Sequence, residues 1–165
     1  MIAPWSENDK AGTLVAVADA LSAAPATAAA KAKRVLVPIA DGTEEIEVVT
    51  VVDVLRRAGA EVVLASVEDD DRTAVTCSRG VKIEADCHVK AVTGRQGGKE
   101  GWDLIAIPGG MPGAERIRDS VRLHPALEKH WRAMRPLAMI CATPAVARRR
   151  PCYYRVDRVE SYISR

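Results

Sequence analysis

Cys141 is the residue in this sequence best placed for covalent chemistry. It falls between Leu137-Ala138-Met139-Ile140, an apolar run with the length of a buried strand, and Ala142–Ala147, which begins a helix. A strand–nucleophile–helix turn presents its side chain at a sheet edge and aims the N–H groups of the helix at it. Those groups and the helix dipole favour a thiolate, which is both nucleophilic and oxidisable. The competing reading is a small apolar core side chain, the usual role of a buried cysteine.

Two other groups bear on the same chemistry. Glu47 lies in the first turn of a helix, and Val51, Val54, Leu55 and Ala58 follow it at helical spacing, so it is expected to head an apolar stripe facing the core. A carboxylate so placed tends to hold its proton. It serves either to complement the helix dipole or to do acid–base work. Pro108-Gly109-Gly110 ends a third apolar run, and glycines let backbone N–H groups approach a ligand closely. With the Ala142 N–H they would form an oxyanion hole, although a Gly pair is also an ordinary turn signal.

The elements that must position these residues are readable from periodicity. Val35–Ala40 is an apolar run of a strand buried on both faces. Asp41-Gly42-Thr43 is a turn, with Asp41 or Thr43 as candidate cap for a helix that runs to about Ala58 and is stopped by Gly59. Glu61–Val67 reads as a second strand, and Ala74–Thr76 with Val81–Ala85 as a weaker hairpin at a sheet edge. Thr93–Gly101 reads as a loop, Leu104–Ile107 as a third buried strand, residues 113–134 as helical with an interruption around Pro125, and Leu137–Ile140 as a fourth strand. This rhythm predicts an α/β fold with a mostly parallel sheet and helices on both faces. The loops after Ala40, Ile107 and Ile140 then open at one edge, where ligands bind in such sheets.

Composition narrows the function classes. The 24 basic and 22 acidic side chains leave a net charge of +2, which gives no case for nucleic acid as a partner. Aromatic residues make up 4% with no Phe, so base-stacking platforms are not expected. No run of about 18 apolar residues predicts a membrane span. Cys77, Cys87, Cys141 and Cys152 form no CxxC pair, and reduced thiols are expected. Cys87-His88 near Cys77 matches no zinc pattern, and Trp5, Trp102 and Trp131 read as isolated apolar residues. Residues 1–32 are Ala-rich and read as a leader or linker; a transit peptide is a weaker reading, because Glu7, Asp9 and Asp19 are acidic and Arg34 is the first arginine. A cytoplasmic location is expected, with a plastid as the alternative if residues 1–32 are a transit peptide.

Five ordered blocks carry a resemblance: Arg34 to Glu47, Val52 to Gly59, Cys77-Ser78-Arg79, Ile107-Pro108-Gly109-Gly110, and Ile140-Cys141-Ala142-Thr143-Pro144. Together they resemble the ThiJ/PfpI superfamily, in particular its branch of parkinsonism-associated protein deglycases and their plant relatives. The resemblance spans roughly residues 33–147. It implies a flavodoxin-like three-layer fold and a homodimer. Cys141 would be the nucleophile and oxidation sensor, Glu47 its proton-shuttling partner, and Gly109, Gly110 and Ala142 the backbone oxyanion donors. Arg79 would lie close to both site and dimer contact. The implied activity is cofactor-free conversion of a small dicarbonyl, methylglyoxal or glyoxal, to a hydroxy acid, or deglycation of its protein adducts, with no metal and no nucleotide.

The sequence departs from that pattern after Ala147. The family continues with another strand, a histidine near the cysteine and a closing helix, whereas His88, His124 and His130 all precede Cys141 and Arg148–Arg165 reads as a basic tail. A domain incomplete at its C-terminus is the expectation, with a splice variant or altered reading frame as the hypothesis behind it. Thr143 also stands where many relatives have a smaller residue. Two alternatives follow: a non-catalytic redox-sensing or interaction protein that keeps an oxidisable Cys141, and an amidotransferase-like hydrolase, disfavoured because its Cys–His pair needs a later histidine.

Overall fold

The computed structural model describes residues 31–93 and 101–147. The readings of residues 148–165, and of most of residues 1–32 and of the Thr93–Gly101 loop, lie outside the described residues. Among the described residues seven strands and five helices follow in chain order: β1 (Arg34–Ile39), α1 (Glu45–Arg57), β2 (Glu61–Ser66), β3 (Ala74–Thr76), β4 (Lys82–Glu84), β5 (Cys87–His88), α2 (Lys90–Thr93), β6 (Leu104–Ile107), α3 (Gly113–Asp119), α4 (His124–Arg132), β7 (Leu137–Met139) and α5 (Thr143–Ala147). Among these residues no helix is long and apolar enough to cross a membrane.

Five strands form one sheet in the order β5-β2-β1-β6-β7, every pair parallel. This is the predicted flavodoxin-like arrangement: a mostly parallel central sheet with a layer on each face. Alternation along the strands feeds both layers. Val35, Val37, Ile39 and Ala106 pack on one side with Val48, Val62 and Leu64, while Leu36, Ile105 and Ile107 pack on the other with Ile117, Leu123 and Leu127 from α3 and α4. Burial on both faces explains why β1 and β6 read as unbroken apolar runs.

The hairpin differs from expectation. β3 and β4 pair antiparallel in a sheet of their own, not at the main sheet's edge. That edge is β5, two residues paired to Ala65 and Ser66 of β2. Val75, Cys77 and Ala85 anchor the hairpin to the core on the α1 side.

The apolar stripe of α1 is rotated from the expected one. Val48 is buried, and Val51, Val52 and Leu55 pack behind it. Val54 is 56% exposed and Ala58 is exposed. Glu47 therefore sits on the margin of the core face rather than at its head. Neither predicted cap acts as one. Glu44 is the N-cap residue, and its side chain makes no capping hydrogen bond. Thr43 turns its Oγ1 back to accept the Ala40 N–H at 3.0 Å, and the Asp41 carboxylate accepts the Thr76 N–H and pairs with Arg72. The helical break in residues 113–134 falls at Ser120–Leu123, ahead of Pro125, which instead occupies the first turn of α4.

Candidate active site

β1 is followed by β2 on one side, and its other neighbour is β6, so the strand order reverses between β1 and β6. In parallel sheets ligands bind at the carboxyl ends of the strands at such a point. The loops after β1, β6 and β7 are adjacent there; Glu47 lies in the first turn of the helix that follows the first, and Gly109 and Cys141 lie in the other two.

The first two loops are locked together. Glu44 N–H donates to Gly109 O at 3.0 Å. Gly110 has φ +89, and a Cβ on it would run into Glu44 N and Gly42 O; one on Gly113 would run into the backbone of Thr43. Only glycine admits this approach of one backbone to another. The lock extends to the loop after β2 through Glu68. Its side chain is only 5% exposed and is paired with Arg72 at 2.9 Å and Arg116 at 3.2 Å, and its Oε1 accepts the Asp41 N–H at 2.7 Å. The Arg72 guanidinium also bonds Asp41, whose carboxyl it holds below the usual carboxylate range against the opposing effect of burial.

Cys141 follows β7 with φ +56, a left-handed conformation that is uncommon for a residue with a side chain. Strain at a turn between a strand and a helix is the signature of a presented nucleophile, and Cys141 is exposed. The neighbouring thiols differ. Cys77 is buried, and its burial, with the charges of Glu45, Asp41 and Glu44, pushes its thiol up to about 11. Cys87 is half-buried, and burial beside Asp86 raises it as well. The sequence singled out Cys141 by its place between a strand and a helix; the fold adds that it is the exposed one of these three.

Glu47 and Cys141 are brought together at Gly109. The point where a Cβ would stand on Gly109 lies 2.8 Å from Cys141 Cβ and 3.0 Å from Glu47 Oε2. The Gly109 N–H donates to Glu47 Oε2 at 2.6 Å. The Gly109 N–H, expected as an oxyanion donor, is thus taken up by Glu47. The N–H groups of Gly110 and Ala142 make no hydrogen bond among the described residues and remain available as donors. Glu47 keeps Oε1 for other partners.

Arg79 lies on the neighbouring hairpin. It is exposed on the turn between β3 and β4, where its N–H donates to Glu45 Oε1 at 2.9 Å. The same turn is fastened to α1 by Ser78, whose N–H donates to Thr43 O and whose hydroxyl lies 2.6 Å from Glu44 Oε2. The acidic first turn of α1 thus holds the hairpin. Sequence reasoning noted Thr143 only for its size; it is 3% exposed and donates its hydroxyl to Pro108 O at 2.7 Å. Among the described residues no group of three or more His, Cys, Asp or Glu side chains is arranged to hold a metal ion.

Comparison with known proteins agrees with this geometry. The model of the DJ-1/PfpI family matches residues 33–150. Protein DJ-1 homolog B of Arabidopsis thaliana is 39% identical over 122 residues, which are 74% of this chain and 26% of that protein. The glutathione-independent glyoxalase DJR-1.2 of Caenorhabditis elegans is 32% identical over 136 residues, 78% of this chain and 68% of that protein. The solved structure of oxidized Toxoplasma gondii DJ-1 superposes with a TM-score of 0.65 at 52% identity, covering 72% of this chain and 60% of the other. The chain thus spans only part of the length of these relatives. With five sequence blocks in order, the parallel sheet and a strained cysteine beside a glutamate at its carboxyl edge, this chain belongs to the DJ-1/PfpI family.

Proposed function

We propose that this chain acts on small dicarbonyls, methylglyoxal or glyoxal, or on their protein adducts, as a cofactor-independent glyoxalase or deglycase with Cys141 as nucleophile. The observation that carries the reading is the convergence of an exposed, strained Cys141 and the Glu47 carboxylate on one glycine at the carboxyl edge of the sheet. The similarity to a glutathione-independent glyoxalase supports the substrate class.

The residues suit each step. The Cys141 sulfur adds to the aldehyde carbon, and the carbonyl oxygen becomes an oxyanion within reach of the Gly110 and Ala142 N–H groups. Protonation of that oxygen gives a hemithioacetal. Glu47 Oε1 takes the proton from the former aldehyde carbon, forming an enediol, and returns it to the adjacent carbon. The first carbon has then been oxidised to a thioester and the second reduced to an alcohol. Water hydrolyses the thioester, releases the hydroxy acid and restores the thiol. No external oxidant or reductant enters the balance.

A homodimer belongs to the same proposal. Ile46 and Val49 share an exposed face of α1, 69% and 58% accessible, beside the hairpin that carries Val81, 50% accessible. Apolar side chains grouped in this way favour a protein contact. A second reading, an oxidation sensor without turnover, is favoured by the exposure of Cys141 alone.

The test is methylglyoxal consumption by the purified, folded chain beside Cys141→Ala. Turnover lost in the variant supports the enzyme. A folded parent that consumes no dicarbonyl, yet forms a Cys141 sulfinic acid under mild peroxide, supports the sensor instead.

A further inference from the structure

We propose that Thr143 is a positioning residue for the Cys141–Glu47 pair, acting through the peptide group that joins Pro108 to Gly109. This deepens the proposed enzymatic reading and rests on it. The carbonyl of that peptide accepts the Thr143 hydroxyl at 2.7 Å. Its N–H donates to Glu47 Oε2 at 2.6 Å. One planar unit is therefore held at both ends, by a residue two positions after the nucleophile and by the carboxylate that serves it.

Three physical consequences follow. A peptide plane rotates as one body, because its C–N bond has partial double-bond character. Releasing the carbonyl therefore frees the N–H to swing away from Glu47. A hydrogen bond accepted by the carbonyl also polarises the peptide and strengthens the bond its N–H donates. Finally, Thr143 N–H donates to Ile140 O at 3.1 Å, and Ile140 N–H donates to Ile107 O at 3.1 Å. Thr143 thus ties the left-handed turn at Cys141 to the end of β6 from both its backbone and its side chain.

The hydroxyl accounts for its own placement. Thr143 is 3% exposed and Pro108 is buried, so without the bond two polar groups would be buried with one partner lost. A side chain lacking a donor at this position would leave the Pro108 carbonyl unpaired. The bond is set against the near contact of Gly109 and Cys141, where displacement of a few tenths of an ångström changes which atoms meet.

The experiment compares Thr143→Val, which keeps the shape and removes the donor, with Thr143→Ser, which keeps the donor. In methylglyoxal turnover, Thr143→Val is expected to lose about tenfold or more in kcat. Its KM should stay near the parent's, and Thr143→Ser should restore most of kcat. Equal loss in both variants would show that retaining the donor does not preserve activity and would overturn the proposal, as would full kcat in Thr143→Val. Carbamidomethylation of Cys141 by iodoacetamide at fixed pH gives a second readout, independent of turnover. There Thr143→Val is expected to change the rate about three- to tenfold, the worth of one hydrogen bond, with recovery in Thr143→Ser. A parent without turnover that still shows this Thr143-dependent labelling would sink the glyoxalase reading and leave the positioning role standing. Turnover and labelling both indifferent to Thr143→Val would do the reverse. Far-ultraviolet circular dichroism of each variant separates these outcomes from unfolding.

Discussion

Glu47 and Cys141 close on a single glycine: the place of a missing Cβ on Gly109 is 3.0 Å from the carboxylate oxygen of one and 2.8 Å from the Cβ of the other. The two side chains flank one position that only a glycine leaves empty. Four expected outcomes follow from this arrangement and from the groups around it.

Gly109→Ala should damage both function and fold. The added methyl would stand closer to Cys141 Cβ than unbonded carbons settle, and neither the backbone carbonyl of Ile140 nor the β7 turn can give way freely. Overpacking of this kind costs about 1–3 kcal/mol. Displacing the nucleophile should lower kcat by about 100-fold. Thermal melting and methylglyoxal kinetics measure the two effects, and an active Gly109→Ala protein would show that the contact is not tight in solution.

Glu47→Gln should separate chemistry from structure. The amide oxygen can still accept the Gly109 N–H, so the melting temperature should stay near the parent's. Proton transfer by the carboxylate is lost, and turnover should fall by about 10²- to 10⁴-fold. If the Gln variant retained full activity, the proton shuttle would have to be another group.

Thiol labelling should discriminate Cys141 from Cys77. Burial holds the Cys77 thiol protonated up to about pH 11, and its sulfur is shielded as well. With iodoacetamide at pH 8, peptide mass spectrometry should find Cys141 modified while Cys77 stays free. Comparable labelling of both under native conditions would mean that the hairpin opens readily.

Acid should weaken the fold through His130. Its Nε2 donates to Pro136 O at 2.6 Å, its Nδ1 has no hydrogen-bond partner among the described residues, and burial lowers its pKa from the ordinary 6.5. The unfolded chain therefore takes up a proton on this residue at a higher pH than the folded one. Stability is full above 6.5 and declines as pH falls from there toward the lower folded-state pKa. Melting temperatures of the parent should drop across pH 7 to 5 more steeply than those of His130→Gln, and parallel curves would remove His130 from the account.

The strands β1, β2 and β6 were legible because both their faces are largely covered, which writes them as apolar runs; β7, at the edge of the described sheet, is half-buried yet carries the same kind of run. Cys141 was legible for a related reason: a cysteine between such a run and a helix start has few ordinary placements. What escaped depends on contacts far along the chain. β5 is two residues long and exists only by pairing with Ala65 and Ser66. Glu47 was placed at the head of the core stripe, yet the helix is rotated so that Val48 is buried and Val54 is bare. That rotation is set by packing against the sheet, and helical spacing alone does not contain it. Gly109 was expected to serve an oxyanion because a glycine's N–H can point to many partners; the carboxylate that claims it is 62 residues earlier.

That separation has a consequence for the newly made chain. The first βαβ unit, β1 through β2, already contains Glu47 but none of the groups it works with. Closing a contact between residues so distant in sequence is slow relative to local helix formation. The left-handed turn at Cys141 therefore meets Glu47 only when β6 and β7 have docked beside β1. Until then the two residues are strangers on one chain, and a nascent or partly folded molecule holds both without the arrangement at Gly109.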